Sequence, residues 1–162
     1  MNISLSHTDL SNLMKLALEE AKKAFNKKEV PVGALVADKE RAVIAKAFNL
    51  VEGLQDPTAH AEMLAIRKAS AVRKSWRLDD CILVTTLEPC PMCIGAIRLA
   101  RLAAVVYAAS DPRMGAAGSV FDITKEKFAP KITVVKGILK ESSSSLLKNF
   151  FSSLRNSSKF AL

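Results

Sequence analysis

Histidine, cysteine and the larger aromatic residues are scarce in this sequence. The 162 residues include two His, three Cys, one Trp and one Tyr. Three cysteines are too few, and odd in number, for the disulfide framework that supports many small secreted domains. Because the chain has so few His and Cys residues, their positions are informative about function.

Long apolar runs are also missing. No uncharged apolar segment approaches the ~18 residues that a membrane span requires, and the first ten residues lack the basic and apolar regions of a signal peptide. We therefore expect a cytoplasmic protein without membrane contacts. Apolar residues make up 49% and charged residues 25% of the chain, as in ordinary globular proteins, which excludes a disordered or collagen-like chain.

Negative charge is in the minority. The chain has 24 Lys and Arg against 16 Asp and Glu, so its net charge is +8. A basic protein attracts polyanions such as nucleic acids. The basic residues are scattered along the sequence, however, so charge alone leaves open both nucleic-acid binding and a general surplus that favours solubility.

The spacing of apolar residues predicts alternating helices and strands over a length that fits one domain, 1–162. Helices are expected at 10–25, 59–71, 90–101 and about 141–156, strands at 30–37, 42–48, 81–87, 104–109 and 132–138, and loops at 50–57 and 110–119. Thr8 or Asp9 is expected to cap the first helix and Thr58 the second. Strand–helix–strand units imply parallel pairing, and the short first connection implies an antiparallel pair. The predicted fold class is α/β, a three-layer α/β/α sandwich with a central five-stranded mixed sheet.

Cys90 and Cys93 lie three residues apart at a predicted helix start, so their side chains face the same way. A helix N-terminus favours thiolates. Together with His60, the only histidine besides His7, they form a donor set that suits zinc, and three protein ligands leave a fourth position for water, as in catalytic zinc sites. A redox-active pair of cysteines is the alternative, and it leaves His60 unexplained.

Glu62 follows His60 by two residues. A carboxylate near a catalytic zinc can take a proton from water and pass it on. Residues i and i+2 of a regular helix diverge, so the spacing does not place Glu62 at the metal. A solvated glutamate at a helix start is the alternative interpretation.

The H-x-E and P-C-x-x-C motifs together form the signature of zinc nucleobase deaminases. Four stretches extend the match: Glu29–Ala34 (EVPVGA), Asp56–Glu62 (DPTAHAE), Thr86–Cys90 (TLEPC) and Gly115–Ser119 (GAAGS), with Asp111 before the last. On these residues the sequence resembles the cytidine deaminase-like superfamily. Within it, the second and fourth stretches make it most similar to the bacterial tRNA-specific adenosine deaminases.

The resemblance implies hydrolytic deamination of adenosine to inosine at the wobble position of a tRNA anticodon. It implies one zinc ion per chain, with His60, Cys90 and Cys93 as ligands and Glu62 as the residue that moves protons between water, base and leaving ammonia. The family is typically a homodimer with RNA crossing both subunits, so tRNA and a second copy of the chain are the expected partners.

The resemblance also implies six residues that contact the RNA: Asn49 bonds the flipped base, Val30, Pro31 and Ala59 shape its pocket, Asp111 contacts the sugar, and Phe151 packs on a neighbouring nucleotide. Asn49 and Asp111 are also ordinary turn residues, and paired phenylalanines are often core. We expect Phe150 to be buried and Phe151 to lie nearer the RNA. Arg98 and Arg101 are expected on a solvated face or in the dimer interface, and Cys81 in the core.

Three other functions remain open. A small-molecule deaminase of the same fold would act on guanine, cytosine or a nucleotide, but the basic charge and the DPTAHAE stretch favour RNA. A non-catalytic, zinc-stabilised RNA-binding module would have no use for Glu62. A thioredoxin-like redox protein would oxidise Cys90 and Cys93 reversibly.

Overall fold

The computed structural model describes residues 6–159, with side chains described through 156, and this part of the chain contains five strands and five helices. The strands are β1 Gly33–Ala37, β2 Val43–Phe48, β3 Ile82–Leu87, β4 Ala104–Ala109 and β5 Thr133–Lys136. The helices are α1 His7–Asn26, α2 Val51–Leu54, α3 Ala61–Arg73, α4 Pro91–Leu99 and α5 Lys140–Lys159. A short 3-10 turn, Ile123–Lys125, precedes β5.

The strands form one mixed sheet in the order β2-β1-β3-β4-β5. β1 is antiparallel to both β2 and β3, whereas β3, β4 and β5 are parallel to one another. The predicted five-stranded mixed sheet is therefore confirmed. Since β3 and β4 are parallel, the loops that follow them leave the same edge of the sheet, where sites in α/β folds are usually found.

Helices cover both faces of the sheet, which confirms the three-layer sandwich. Alternate residues of β3 enter different cores: Leu83 packs with α3 and α4, and Val84 packs with α1. On the α1 face the backbones approach closely, because a Cβ added at Gly33 would lie 2.1 Å from the Ala17 carbonyl oxygen. A larger residue at this point would push α1 away from the sheet.

The C-terminal helix α5 is hydrogen-bonded to the sheet near the site. The buried Ser143 hydroxyl donates to the Thr86 carbonyl oxygen in β3, at 2.5 Å. Phe150 is also buried, as expected, and makes an edge-to-face contact with Phe25 of α1, with ring centroids 5.6 Å apart. The predicted helix at about 141–156 is thus present and begins one residue earlier.

The helix caps differ from the prediction. α1 is capped by Ser6, whose hydroxyl accepts from the Asp9 amide, so the expected cap at Thr8 or Asp9 is wrong. α3 begins after His60, and the Thr58 hydroxyl instead donates to Asp56 at 2.7 Å. Because Thr58 is used within the preceding turn, it cannot cap the helix.

The prediction also differs from the structure at residues 30–32 and 50–57. β1 begins at Gly33 rather than at residue 30, because the Val32 amide bonds locally to the Val30 carbonyl at 2.7 Å and takes that segment out of the sheet ladder. The predicted loop at 50–57 contains the short helix α2. A four-residue helix is too short to produce a recognisable apolar period in sequence.

Arg98 does not lie on a solvated face. It is 2% exposed, and its guanidinium donates to the carbonyl oxygens of Ile123 and Ala129 at 2.8 and 2.5 Å and sits over the Phe128 ring at 4.3 Å. Of the two places expected for Arg98, the solvated face is therefore wrong, because this side chain organises the loop before β5, and the dimer interface stays a prediction. Cys81 is fully buried, as predicted. Within residues 6–159, no helix has both the length and the apolar content to cross a membrane.

Candidate metal centre and substrate pocket

His60, Cys90 and Cys93 converge on one point. The Nδ1 atom of His60 lies 3.7 Å from the Cys90 sulfur and 3.5 Å from the Cys93 sulfur, and the three donor atoms all lie within 4.8 Å of one another. Atoms bound to one tetrahedral zinc at ~2.0 Å (nitrogen) and ~2.3 Å (sulfur) stand about 3.5 Å apart. The three residues therefore fit a zinc ion in both chemistry and spacing.

Two helix N-termini bring these donors together. His60 is the residue immediately before α3 and Cys90 the residue immediately before α4, while Cys93 lies in the first turn of α4. Pro91 occupies the first helical position of α4, where its fixed φ suits a helix start and its missing N–H costs nothing. The positive ends of both helix dipoles face the site, which favours thiolate over thiol.

Hydrogen bonds and burial shift the pKa values of the three metal-type donors and of Glu62. The hydrogen bond from Cys93 lowers the pKa of Cys90 to about 4, and the same bond, with burial, raises the pKa of Cys93. The hydrogen bond to Cys90 raises the pKa of His60. Burial raises the pKa of Glu62 to about 7. Shifts of this kind, concentrated in one cleft, are typical of functional sites.

Glu62 is buried in the first turn of α3 and lines the same pocket as His60 and Cys90. The alternative of a solvated surface glutamate is therefore wrong. The pocket has a volume of about 340 Å³, within the ~300–1,000 Å³ typical of small-molecule sites. Its lining residues come from the ends of several helices and strands and from the loops between them: Glu29, Val30, Val32, Asn49, Val51, Glu52, His60, Glu62, Leu87, Glu88, Cys90, Asp111 and Met114.

Three of the six residues implied for RNA contact line this pocket, namely Val30, Asn49 and Asp111. Pro31 and Ala59 are buried and lie outside its lining. Ala59 nevertheless stands directly before His60, and its carbonyl accepts from the Leu50 amide at 3.0 Å, which joins the two segments that flank the pocket.

Phe151 lies elsewhere. It is 38% exposed on α5 and lines a separate groove with Arg113, Lys148 and Arg155. The Phe151 ring stands edge-to-face against buried Phe150, with centroids 5.4 Å apart, so the ring is supported from behind. An aromatic ring beside basic side chains is a combination suited to a nucleic-acid base and its phosphate.

Two glutamates of the pocket were missed by the sequence analysis, although both occur in the stretches quoted there. The buried Glu29 carboxylate accepts from the Asn49 side-chain amide at 3.2 Å and from the Glu52 and Gly53 backbone amides at 3.2 and 2.6 Å. The second is Glu88, whose carboxylate accepts from the loop that carries Asp111. Their partners lie 20 or more residues away, so no local signal in the sequence pointed to Glu29, and for Glu88 only its position between Leu87 and Pro89 was unusual.

Asp111 stabilises the turn in which it lies and also lines the pocket. Its Oδ1 accepts from the amides of Arg113 and Met114 at 2.9 and 3.2 Å. The turn interpretation of Asp111 is thus confirmed, and it is compatible with a binding role because the residue also lines the cavity.

Comparison with known proteins gives a consistent picture. Residues 7–109 match the family model described as the cytidine and deoxycytidylate deaminase zinc-binding region. The chain is 46% identical over 150 residues to the tRNA-specific adenosine deaminase of Bacillus subtilis (strain 168), covering 91% of this chain and 92% of that protein.

Solved structures resemble the chain as well. One, from studies of A-to-I editing by tRNA:A34 deaminases at the wobble position, superposes with a TM-score of 0.81 at 37% identity and covers 85% of this chain and 99% of its own. Another, a guanine deaminase from Bacillus subtilis, gives a TM-score of 0.60 at 40% identity and covers 94% of this chain and 95% of its own.

Proposed function

Since the chain belongs to the cytidine and deoxycytidylate deaminase zinc-binding family, among its tRNA-specific adenosine deaminases, we infer that it converts adenosine to inosine at the wobble position of a tRNA anticodon. The reaction consumes one water and releases one ammonia. The observation that carries this proposal is the convergence of three zinc-type donors and a buried carboxylate on one pocket at a sheet edge.

His60, Cys90 and Cys93 would hold one zinc ion per chain, which supplies a Lewis acid beside the pocket. Glu62 is the proposed catalytic carboxylate. It takes a proton from the attacking water on a carboxylate oxygen and delivers it to the ring nitrogen. It then takes the second proton, from the hydroxyl added to the base, and delivers it to the departing amine, so it acts in turn as base and as acid.

The remaining proposed contacts orient the nucleotide. The target adenine must leave its stack to reach the pocket. Asn49, held by Glu29, would hydrogen-bond the base. Val30, together with the buried Pro31 and Ala59, would shape the cavity, and Asp111 would contact the sugar. Phe151, flanked by Lys148 and Arg155, would stack on a neighbouring nucleotide of the anticodon loop.

The deciding experiment uses purified protein and an anticodon stem-loop with a wobble adenosine. We expect inosine at that position and none when guanosine replaces the wobble adenosine. The similarity to a guanine deaminase supports one alternative substrate, free guanine. Turnover of free guanine without inosine in the RNA would reverse the assignment.

Three broader features belong to the same proposal. Residues 1–162 form a single deaminase domain, supported by the one sheet shared by both cores. The enzyme works in the cytoplasm, supported by the tRNA substrate inferred above. It is also a homodimer, supported by an apolar patch of Trp76, Leu99 and Phe128, which are each more than half exposed around one shallow groove.

The dimer has its own test. Leu99→Glu would place a charge in the centre of the patch and should convert a dimer to a monomer, because an unpaired buried charge costs far more than the interface gains there. Light scattering after gel filtration measures the mass. Val72→Glu, also exposed on a helix but outside that groove, is the control and should leave the mass unchanged.

A further inference from the structure

Glu88 occupies an unusual position for a charged residue. It follows β3 directly, stands two residues before the zinc-type ligand Cys90, and is only 2% exposed. Its backbone amide donates to the Ala109 carbonyl at the end of β4, at 2.8 Å. The residue is thus fixed between the two strands whose ends frame the pocket.

The Glu88 carboxylate is surrounded by donors from one loop. Oε1 accepts from the amides of Ala117 and Ser119, both at 3.0 Å, and Oε2 accepts from the Asp111 amide at 3.1 Å and from the Ser119 hydroxyl. Among the residues whose side chains the structure describes, no Lys, Arg or His pairs with it. The negative charge is therefore compensated by backbone dipoles, and the loop folds around it.

Gly115 shows how closely the loop wraps the carboxylate. A Cβ there would lie 2.5 Å from the carboxyl carbon of Glu88 and 2.5 Å from the Asp111 carbonyl oxygen. Any side chain at this position would lift the loop off Glu88. Loop and carboxylate therefore form one closely fitted unit, whose pocket-lining members are Glu88, Asp111 and Met114.

We propose that Glu88 is a positioning residue for the RNA substrate: it holds the Asp111 backbone so that the Asp111 side chain faces the nucleotide in the pocket. This inference rests on the proposed function, since it gives a purpose to the contact proposed for Asp111. Glu88 takes no part in proton transfer, because its oxygens are engaged by the loop.

Glu88→Gln separates this role from general stability. The glutamine carbonyl can keep the bonds from Ala117 and Ser119, and the Ser119 hydroxyl can turn to accept from the new amide. Only the Asp111 amide is left facing another donor. Asp111 should shift while the loop stays folded, and since a misplacement of ~1 Å can cost on the order of 100-fold, we expect KM for the stem-loop to rise about 10-fold or more.

Zinc content should stay at one per chain, and kcat at saturating RNA should stay within about threefold of wild type, because ground-state and transition-state binding are lost together. A merely structural role would lower the active fraction, and hence kcat, at unchanged KM. Glu40→Gln is the matched control, because Glu40 is exposed in the β1–β2 turn, at the end of β1 and β2 that is away from the pocket. It removes the same negative charge as Glu88→Gln, and loss of that charge by electrostatics alone would tighten RNA binding rather than weaken it.

Asp111→Ala completes the cycle. If Glu88 acts through Asp111, adding Glu88→Gln to Asp111→Ala should raise KM by less than about twofold, since residues that share one interaction are not additive. Fully additive effects, or a wild-type KM in Glu88→Gln, overturn the proposal. Should Glu88→Gln not fold, Gly115→Ala keeps the carboxylate and displaces the loop, and a wild-type KM there also overturns it. Deamination by the wild type tests the proposed function separately.

Discussion

At the scale of single residues, the chemistry assigned to Glu62 depends on a carboxylate that is buried beside the three zinc-type donors. Glu62→Gln keeps the size of the side chain and removes its ability to accept a proton. We expect inosine formation to fall by ~10²–10⁴-fold, the usual contribution of a general base. Zinc, measured by elemental analysis, should remain at one per chain because Glu62 is not a ligand. Undiminished deamination would remove Glu62 from the mechanism.

The three cysteines should differ in reactivity because they differ in metal coordination and in burial. Zinc coordination should protect Cys90 and Cys93 from iodoacetamide, and a chelator should expose the half-buried Cys90. Cys81 should remain unmodified in both states, because burial raises its pKa to about 11 and leaves little thiolate near neutral pH. Peptide mass spectrometry distinguishes the three sites. Rapid modification of Cys81 in the folded protein would contradict this description.

How far single residues can be predicted from sequence depends on how local their partners are. The ligand set and Glu62 were predictable because two short motifs carry them. Glu88 and Arg98 were not, since their partners are backbone groups 23 or more residues away and no side-chain pattern encodes a backbone partner. Asn49 was suspected from the resemblance, whereas its support by Glu29 required the folded chain.

At the scale of elements, the fit of α1 against the sheet depends on Gly33. Gly33→Ala forces a methyl group into the backbone of α1 and should destabilise the fold by about 1–3 kcal/mol or more, as overpacking does. Gly95→Ala is the matched control. Nothing lies within 4 Å of a Cβ at Gly95, inside α4, so this change should stabilise the fold by about 0.5–1 kcal/mol. Urea unfolding, followed by circular dichroism, measures the change in the free energy of unfolding for both variants.

Element boundaries were the least predictable part of the fold. Ser6, His60 and Cys90 precede their helices, and the second and third of these residues make no side-chain cap but contribute donor atoms to the candidate metal centre. The sequence preference for Thr58 as a cap was overridden because Asp56 engages its hydroxyl. Helix and strand types, in contrast, follow from apolar period and were correct for every long element.

At the scale of the whole molecule, the net charge of +8 should make RNA binding depend on salt. Each phosphate contact contributes about −0.7 to the slope of log K against log salt for single-stranded RNA. Lys148→Ala, beside Phe151, should reduce the steepness by about that amount, whereas Lys39→Ala, in the β1–β2 turn away from the site, should not. Fluorescence anisotropy with a labelled stem-loop gives both slopes. Identical slopes for Lys148→Ala and wild type would exclude Lys148 as a phosphate contact.

The global arrangement was only partly predictable. The alternation of strands and helices implied a layered α/β fold, but the position of β1 between β2 and β3 depends on long-range pairing that no local pattern specifies. The pocket likewise combines residues from 29 to 114, and only the resemblance suggested that Val30, Asn49 and Asp111 would meet there.

The hydrogen bond from Ser143 to Thr86 links α5, which carries the exposed ring of Phe151, to β3, the strand that leads into Cys90. A nucleotide bound at Phe151, as proposed, would therefore act on β3 whenever it displaces α5. Truncation of the protein after residue 139 would remove Ser143, so the Thr86 carbonyl oxygen near the end of β3 would lose its hydrogen-bond donor. Such a shortened variant should lose turnover even on substrates that never touch the missing helix.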